Sequence, residues 1–459
     1  MNIILQNYKN LIEKIIKDSI ISNVNSALSN FNGYNINNYI ELLSSFDKAL
    51  CDSFKLSFIA LISELDNAYR NTKERKNKFH IKGYYQRTIM TIFGEITIKR
   101  CFYKSKLDGS SFCYVDRLLG LQKYDYFDPY IKAEILDYAA NHNYSETAEH
   151  INILIGNRIS LDEKQKYLTR QTVRNVILKS VLSEPEIERL PDVDTLYLIA
   201  DEKWISTQNN NKNKVMQKSI VIFDGFNKKG KRKSLNNKMT FSGRNENFIY
   251  EAINYIDKAY DTSKIKKLFM LGDGAMWINN LKYEFNCWDN IKVTQALDHF
   301  HLKQALWNIL NDNDVYKTLV SYILNNKKEE FDRLTTEIID VNPLRKENIS
   351  HLKKYILNNW RKAINLFKYN LSCPMESQIS HTFAAYFTSR PKAYNKKMID
   401  ILINLRLKKK NKYNIKKLYL NNLDSKEIKT INEKETDYSI FDKSDTYKVY
   451  GKKAQFKVY

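Results

Sequence analysis

Little in this chain interrupts a helix. Only 12 of its 459 residues are Gly and 6 are Pro, which disfavours a turn-rich β-sandwich and favours long helices. Cysteine is scarce too. Cys51, Cys101, Cys113, Cys287 and Cys373 are odd in number, scattered and without CxxC spacing, so neither a zinc ribbon nor a disulfide framework is indicated. No apolar run reaches the roughly 18 residues a membrane span needs. The start, MNIILQNYKNLIEKIIKDSI, mixes apolar and charged residues at helical spacing and lacks the unbroken apolar core of a signal peptide. The expected setting is a reducing cytoplasm. Acids are outnumbered, 52 Asp and Glu against 74 Lys and Arg, for a net charge of +22. Such a surface attracts polyanions through counterion release. Nucleic acid is the first candidate partner and an anionic membrane surface the second; the bland alternative is a lysine bias that serves solubility.

What is present divides the chain into segments. Residues 1–78 read as an N-terminal helical region, with Ile4, Leu5, Tyr8, Leu11, Ile12, Ile15 and Ile16 at helical spacing. Residues 79–126 are a small β unit, in which alternation around Phe93-Gly94-Glu95 predicts a hairpin that must pack on its neighbours. Residues 127–183 are helical again. Ser145 is the expected cap of a short helix and Thr169 that of the next, whose exposed start carries Arg170, Gln171, Thr172 and Arg174. That order suits a helix-turn-helix presenting side chains to a major groove; the alternative is a plain helical bundle. Residues 184–194, with two prolines, read as a linker.

Beyond it the pattern is α/β. TLYLIA runs to Asp201, KSIVIF to Asp224, KLFMLG to Asp273 and IKVTQAL to Asp298. Runs apolar on both faces suit central strands of a covered sheet, and ligand sites of open α/β sheets gather at carboxyl strand ends. Carboxylates brought there from separate strands repel one another unless a hard cation such as Mg²⁺ or Mn²⁺ neutralises them. Two such ions serve phosphodiester chemistry, whereas turn chemistry alone also places Asp at strand ends. Asp201 in LIADEKW and Asp273 in LGDGAMWI have the best settings, the latter between two glycines that give phosphate access. Residues 302–370 read as helical with one visible break, at Pro343. RLKKKNKYNIKK, residues 406–417, has seven basic residues and no acid. With loop 227–239 it offers non-specific phosphate attraction.

IADEKW, GDGAMWI, LDHFHLKQAL and CPMESQISHTFAAYFTSRPKAY, together with the upstream TIFGEITIKRCFY, resemble the motif series of ISLre-type insertion-sequence transposases, from about residue 80 to about 400. That family is similar to Mutator-type transposases. The resemblance implies an RNase H-like catalytic domain with a DDE triad of Asp201, Asp273 and Glu376 holding two Mg²⁺ or Mn²⁺ ions. It makes 195–301 and 371–405 the two parts of that domain, 302–370 its helical insertion and 406–459 a basic polar tail. Pro374, Ile379 and Phe383 fit a helix start that would hold Glu376. Thr388, Ser377 and Tyr394 depart from the family pattern.

Asp298 is the rival third ligand, with His301 beside it; otherwise Asp298 caps the following helix and His301 bonds beneath it. His381 is a further auxiliary candidate or a structural histidine. Glu202 points away from Asp201 if the strand continues. Arg390 suits a DNA phosphate or a salt bridge to Glu376. Trp204, Trp277 and Trp288 are expected in the core or at sheet edges. The expected function is cleavage and transfer of DNA strands by a transposase, nucleoid-associated, binding element terminal repeats and target duplex as a homodimer or larger assembly, without a membrane. The alternatives are a non-catalytic DNA-binding protein and a nuclease that does not join strands.

Overall fold

A computed structural model describes residues 36–156, 167–208, 214–230, 232–371, 386–387 and 394–432, with scattered positions between 13 and 29. The long helix α1 (Ile36–Asn71) and the short α2 (Lys73–Lys78) lead into an antiparallel sheet of β1 (Phe79–Thr91), β2 (Gly94–Ser105) and β3 (Ser111–Cys113), followed by α3 (Tyr114–Leu118). The expected hairpin forms, with Thr91 paired to Gly94 and Met90 to Glu95. Its inner face, Ile89, Ile96 and Ile98, is buried with Ile62 of α1 and Val115 of α3. Buried Asp66 of α1 accepts from the Cys101 amide at 2.9 Å and from the Tyr103 hydroxyl at 3.3 Å, so the long helix is tied to β2 by polar bonds as well as by apolar burial.

Three helices follow: α4 (Pro129–Ala139), α5 (Tyr144–Gly156) and α6 (Arg170–Lys179). Thr169 caps α6 as expected. The cap of α5 is Asn143, not Ser145. Asn143 Oδ1 accepts from the Ser145 and Glu146 amides, and Glu146 reaches back to the Asn143 amide, a reciprocal box that Ser145, already inside the helix, is unable to make. The segment read as a linker is anchored rather than loose. Ile187, Leu190 and Val193 pack on the core, and the Leu190 amide donates to Ala259 O at 2.7 Å.

The central sheet contains β4 (Thr195–Ser206), β5 (Lys214–Phe223), β8 (Met239–Gly243), β9 (Lys267–Gly272) and β10 (Lys292–Leu297), in the order β10-β9-β4-β5-β8. β10, β9 and β4 are mutually parallel, β5 runs against them, and β8, antiparallel to β5, shares the direction of the first three. A hairpin of β6 (Phe226–Lys229) and β7 (Arg232–Leu235) interrupts between β5 and β8. One face, including Leu198, Ile220 and Met270, is buried with α7 (Asn247–Ala259) and α8 (Met276–Glu284). The other, including Ile199, Val221 and Leu271, is buried with helices that follow the sheet. The edge strand β8 is not left open. Asn411 Oδ1 accepts from the Thr240 amide and its Nδ2 donates to Thr240 O, both at 2.9 Å, replacing a missing neighbour strand.

Residues 299–368 form α9 (His299–Leu310), α10 (Asn313–Leu324), α11 (Lys328–Asp340), α12 (Lys346–Asn358) and α13 (Trp360–Lys368). Pro343 is not the sole break. Asn311 and Asn326 adopt positive φ of 59° and 55° at two further ends, because Asn tolerates the left-handed conformation better than other side chains. Nor is the region from 406 onward a polar tail throughout. α14 (Lys396–Lys410) and α15 (Ile415–Asn432) continue the fold. Buried Arg406 donates to Ala140 O at 3.2 Å, and Ile415 is fully buried.

Asn152 fixes the approach to α6. Its side chain accepts from the Tyr167 and Leu168 amides at 2.9 and 2.8 Å and donates to Leu168 O at 2.9 Å. Replacing Asn152 with Ala orphans three backbone groups and is expected to cost about 3 kcal/mol in urea unfolding. A loss below about 1 kcal/mol would show that water replaces the amide.

Candidate functional site

The strands bring three aspartates to one end of the sheet. β4 pairs with β9 up to Ile199 opposite Leu271, and β9 pairs with β10 up to Gly272 opposite Leu297. Carrying that register forward sets Asp201 level with Asp273, and Asp273 level with Asp298. The Asp298 amide also donates to Gly272 O at 2.8 Å. Asp201 is not at a strand end as expected: β4 continues to Ser206, because beyond Asp201 it still pairs with β5, Glu202 opposite Lys218 and Ser206 opposite Lys214. Side chains alternate along a strand, so Asp201 shares the face of Ile199. Glu202 turns to the other face, where it accepts from the Trp277 indole.

Each carboxylate is held locally. Asp201 Oδ1 accepts from the Glu202 amide at 2.7 Å, and Asp273 Oδ1 from the Ala275 amide at 2.8 Å. Asp298, buried, accepts from the Phe300 and His301 amides and bonds His301 Nδ1 at 2.6 Å. It therefore caps α9 and orients His301, both roles weighed for it in the sequence. Burial pushes the Asp201 carboxyl up to about 6, and the neighbouring charges of Asp273 and Asp298 add to the rise, against the Glu202 amide and His301. The hydrogen bond to Asp298 raises His301, and Asp201 and Asp273 act in the same direction. Carboxylates crowded this way are better neutralised by a hard cation with oxygen ligands than by protons at neutral pH. Among the described residues no three His, Cys, Asp or Glu side chains stand close enough to chelate one ion. Asp201 and Asp273 fit an oxygen pair that needs a further donor, while Asp298 is occupied by its helix and His301.

The glycines flanking Asp273 answer to protein neighbours rather than to phosphate access. A Cβ on Gly272 would lie 2.7 Å from Ile278 Cγ2 and 3.1 Å from Ala200 O. Gly274 has φ +91°, and a Cβ there would lie 2.9 Å from Asn359 Oδ1.

Several residues behind Asp273 escaped the sequence reading. Tyr355 donates to Asp273 O at 2.8 Å. Lys362 donates to Asn359 Oδ1 at 2.9 Å and to Asn279; burial lowers its pKa and the Asp273 charge raises it. Tyr355, Asn359 and Lys362 recur at helical spacing beside the apolar Ile356, Trp360 and Ala363. That polar stripe is the signal that was available.

Glu376, His381 and Arg390 lie outside the described residues, as do Ser377 and Thr388. Of the chain that carries them, the flanking Leu371 packs on the core and Tyr394 bridges to Thr207 at the end of β4. On α6, Arg170 and Gln171 are exposed, while Thr172 and Arg174 are half-buried. Gln171 Nε2 bonds Asn175 at 3.0 Å. Trp204 is 52% exposed, and the Trp288 indole donates to Asp257 at 2.8 Å. None of the helices among the described residues is long and apolar enough to cross a membrane.

The family model that matches, over residues 32–422, is that of an uncharacterised protein family (UPF0236). Similar curated proteins come from Caldanaerobacter subterraneus subsp. tengcongensis. One UPF0236 protein is 28% identical over 422 residues, covering 89% of this chain and 84% of its own. A second is 28% identical over 422 residues, covering 89% and 80%. A third is 27% identical over 420 residues, covering 88% and 85%. No solved structure matches. These matches correct the expected membership of the ISLre-type transposases: neither the family description nor the relatives' names specify a transposase.

The raised Asp201 carboxyl has a pH signature. The unfolded chain releases this proton near pH 4 and the folded chain near 6, so stability falls as pH rises through that window and stays lower above it. In EDTA at pH 7.5, Asp201→Asn is expected to be more stable than wild type by on the order of 2 kcal/mol, the gap closing towards pH 4. Urea unfolding at both pH values checks this. A gap that does not change with pH means that Asp201 ionises normally.

Proposed function

We propose that this chain, which belongs to the uncharacterised protein family UPF0236, is a transposase that cuts and joins DNA strands with the help of divalent metal ions. The observation that carries the reading is the row of Asp201, Asp273 and Asp298, set level by the register of three adjacent parallel strands. The order β10-β9-β4-β5-β8, with only β5 running against the other four strands, supports an RNase H-like reading of the sheet, with α9 to α13 as the insertion. The relatives' names lend independent support. One joins eleven locus designations and another four, and one protein encoded at many loci is what a self-copying element leaves behind.

In this reading Asp201 and Asp273 hold Mg²⁺ or Mn²⁺, two ions, with Glu376 as the remaining donor. A cation held there supplies Lewis-acid polarisation of the phosphodiester and lowers the pKa of the attacking hydroxyl. The protein's own part is positioning. Tyr355 and Gly274 fix the turn that carries Asp273. Asp298 holds His301 beside the carboxylates, whose charges favour its protonated form. Water first opens the strand at the element end; the freed 3′-hydroxyl then attacks target DNA. Arg170, Gln171, Thr172 and Arg174 of α6 contact the terminal repeats as a helix-turn-helix would, Arg390 meets a phosphate, and two copies pair the element ends.

The test uses the purified full chain, Mg²⁺ or Mn²⁺, and a plasmid carrying the gene with its flanks. Nicks at the flanks and joined products are expected. Asp273→Asn and Glu376→Gln should each lower both by at least ~1000-fold while DNA binding is kept, and Asp298→Asn by about 10- to 100-fold. Cutting without joining would make it a nuclease. Binding alone would make it a non-catalytic DNA-binding protein.

A further inference from the structure

Two basic runs far apart in the sequence meet in space. The stretch 227–239, expected as a loop, contains the β6–β7 hairpin and leads into β8, which meets the turn after α14 where Asn411 brackets Thr240 through both of its amide atoms. This junction walls a cavity of about 1260 Å³, lined by Lys238, Lys303, Lys410 and Lys412. His299 and Phe300 line it as well. They are the first two residues of α9, directly after Asp298, so part of the cavity wall adjoins one end of the carboxylate row.

The cations there are crowded. Burial and the charges of Lys410 and Lys412 push the Lys238 pKa down, and burial and Arg406 do the same to Lys410. Glu186 and Glu188 also line the cavity, exposed on the extended segment that is tied to α7 at Ala259. They are two acids against four lysines. Such a cluster is destabilising by itself and favourable once an anion enters.

Building on the DNA-cutting reading above, we infer that this cavity is a track for a phosphodiester backbone leading to or from the carboxylate site. Its size exceeds that of a single phosphate. Its cations are lysines, point charges on flexible stems, rather than the planar forks that read one fixed geometry. Contacts of this type position a strand without reading its sequence. The exposed apolar ring of Phe300 in the same wall offers a face against which a sugar or base can rest.

The experiment measures binding of the full chain to a mixed-sequence DNA duplex by fluorescence anisotropy, in EDTA, across a range of KCl. Each phosphate contact contributes about 0.9 to the slope of log affinity against log salt. The triple variant Lys238→Gln, Lys410→Gln, Lys412→Gln should lose about two to three from that slope and tenfold or more in affinity at 0.1 M salt. The triple Lys317→Gln, Lys328→Gln, Lys354→Gln, on exposed sites of the inserted helices, should leave both unchanged. Thermal melting of both triples beside wild type separates lost contacts from lost fold. Equal slopes for the two triples, or selective loss of binding to vesicles of anionic lipid rather than to duplex, would overturn the assignment. No metal is present, so the outcome is independent of the cutting reading. A chain that binds through these lysines and never cuts sinks only the latter, and one that cuts with its slope unaltered sinks only the track.

Discussion

Like charges held at one register govern the rest of this structure. Parallel strands carry equivalent positions forward together, so aspartates placed just past Ile199, Leu271 and Leu297 have nowhere to go but beside one another. Burial raises the Asp201 carboxyl and the neighbouring acids add to the rise, and the surrounding structure prevents relaxation. Asp273 cannot swing away because its turn needs Gly274 at positive φ beneath Asn359. Asp298 cannot because its carboxylate is committed to the start of α9.

The helices beyond the sheet serve this end. α12 and α13 bury Ile356, Ala363 and Leu366 in the core, and on an adjoining stripe they carry Tyr355, Asn359 and Lys362 to the back of the Asp273 turn. One pair of helices thus both covers the sheet and fixes the turn. Local strain of this kind persists where surrounding packing overdetermines it. On the far side, α14 and the anchored segment before β4 close the sheet edge and gather the lysines around the neighbouring cavity. The acidic row and the basic cavity are therefore held on one rigid frame.

Family membership came from comparison over most of the chain, and it redirected the kinship suggested by short motifs. Motifs such as GDGAMWI are constrained by packing as much as by chemistry: both glycines in it are required by Ile278 and Asn359. Recurrence of such a string reports a shared turn before it reports a shared reaction. The case for strand cleavage accordingly stands on the placement of carboxylates.

Much of the frame was legible in the residues. The hairpin at Phe93-Gly94, the cap at Thr169 and strands running up to Asp273 and Asp298 follow from alternation, capping chemistry and apolar runs, all of which act over a few residues. The cap at Asn143, the helix breaks at Asn311 and Asn326, and the continuation of β4 past Asp201 were missed. In each, a second local signal competed and the outcome depended on partners elsewhere. By itself the sequence determined where strands and helices form and that acids cluster after apolar runs. Only the tertiary structure decided that three of those acids share one level, that Asp298 is committed to His301, and that Lys238 meets Lys410 and Lys412. Register between strands and contact between distant segments are set by long-range pairing and packing, and no local pattern of residues encodes them.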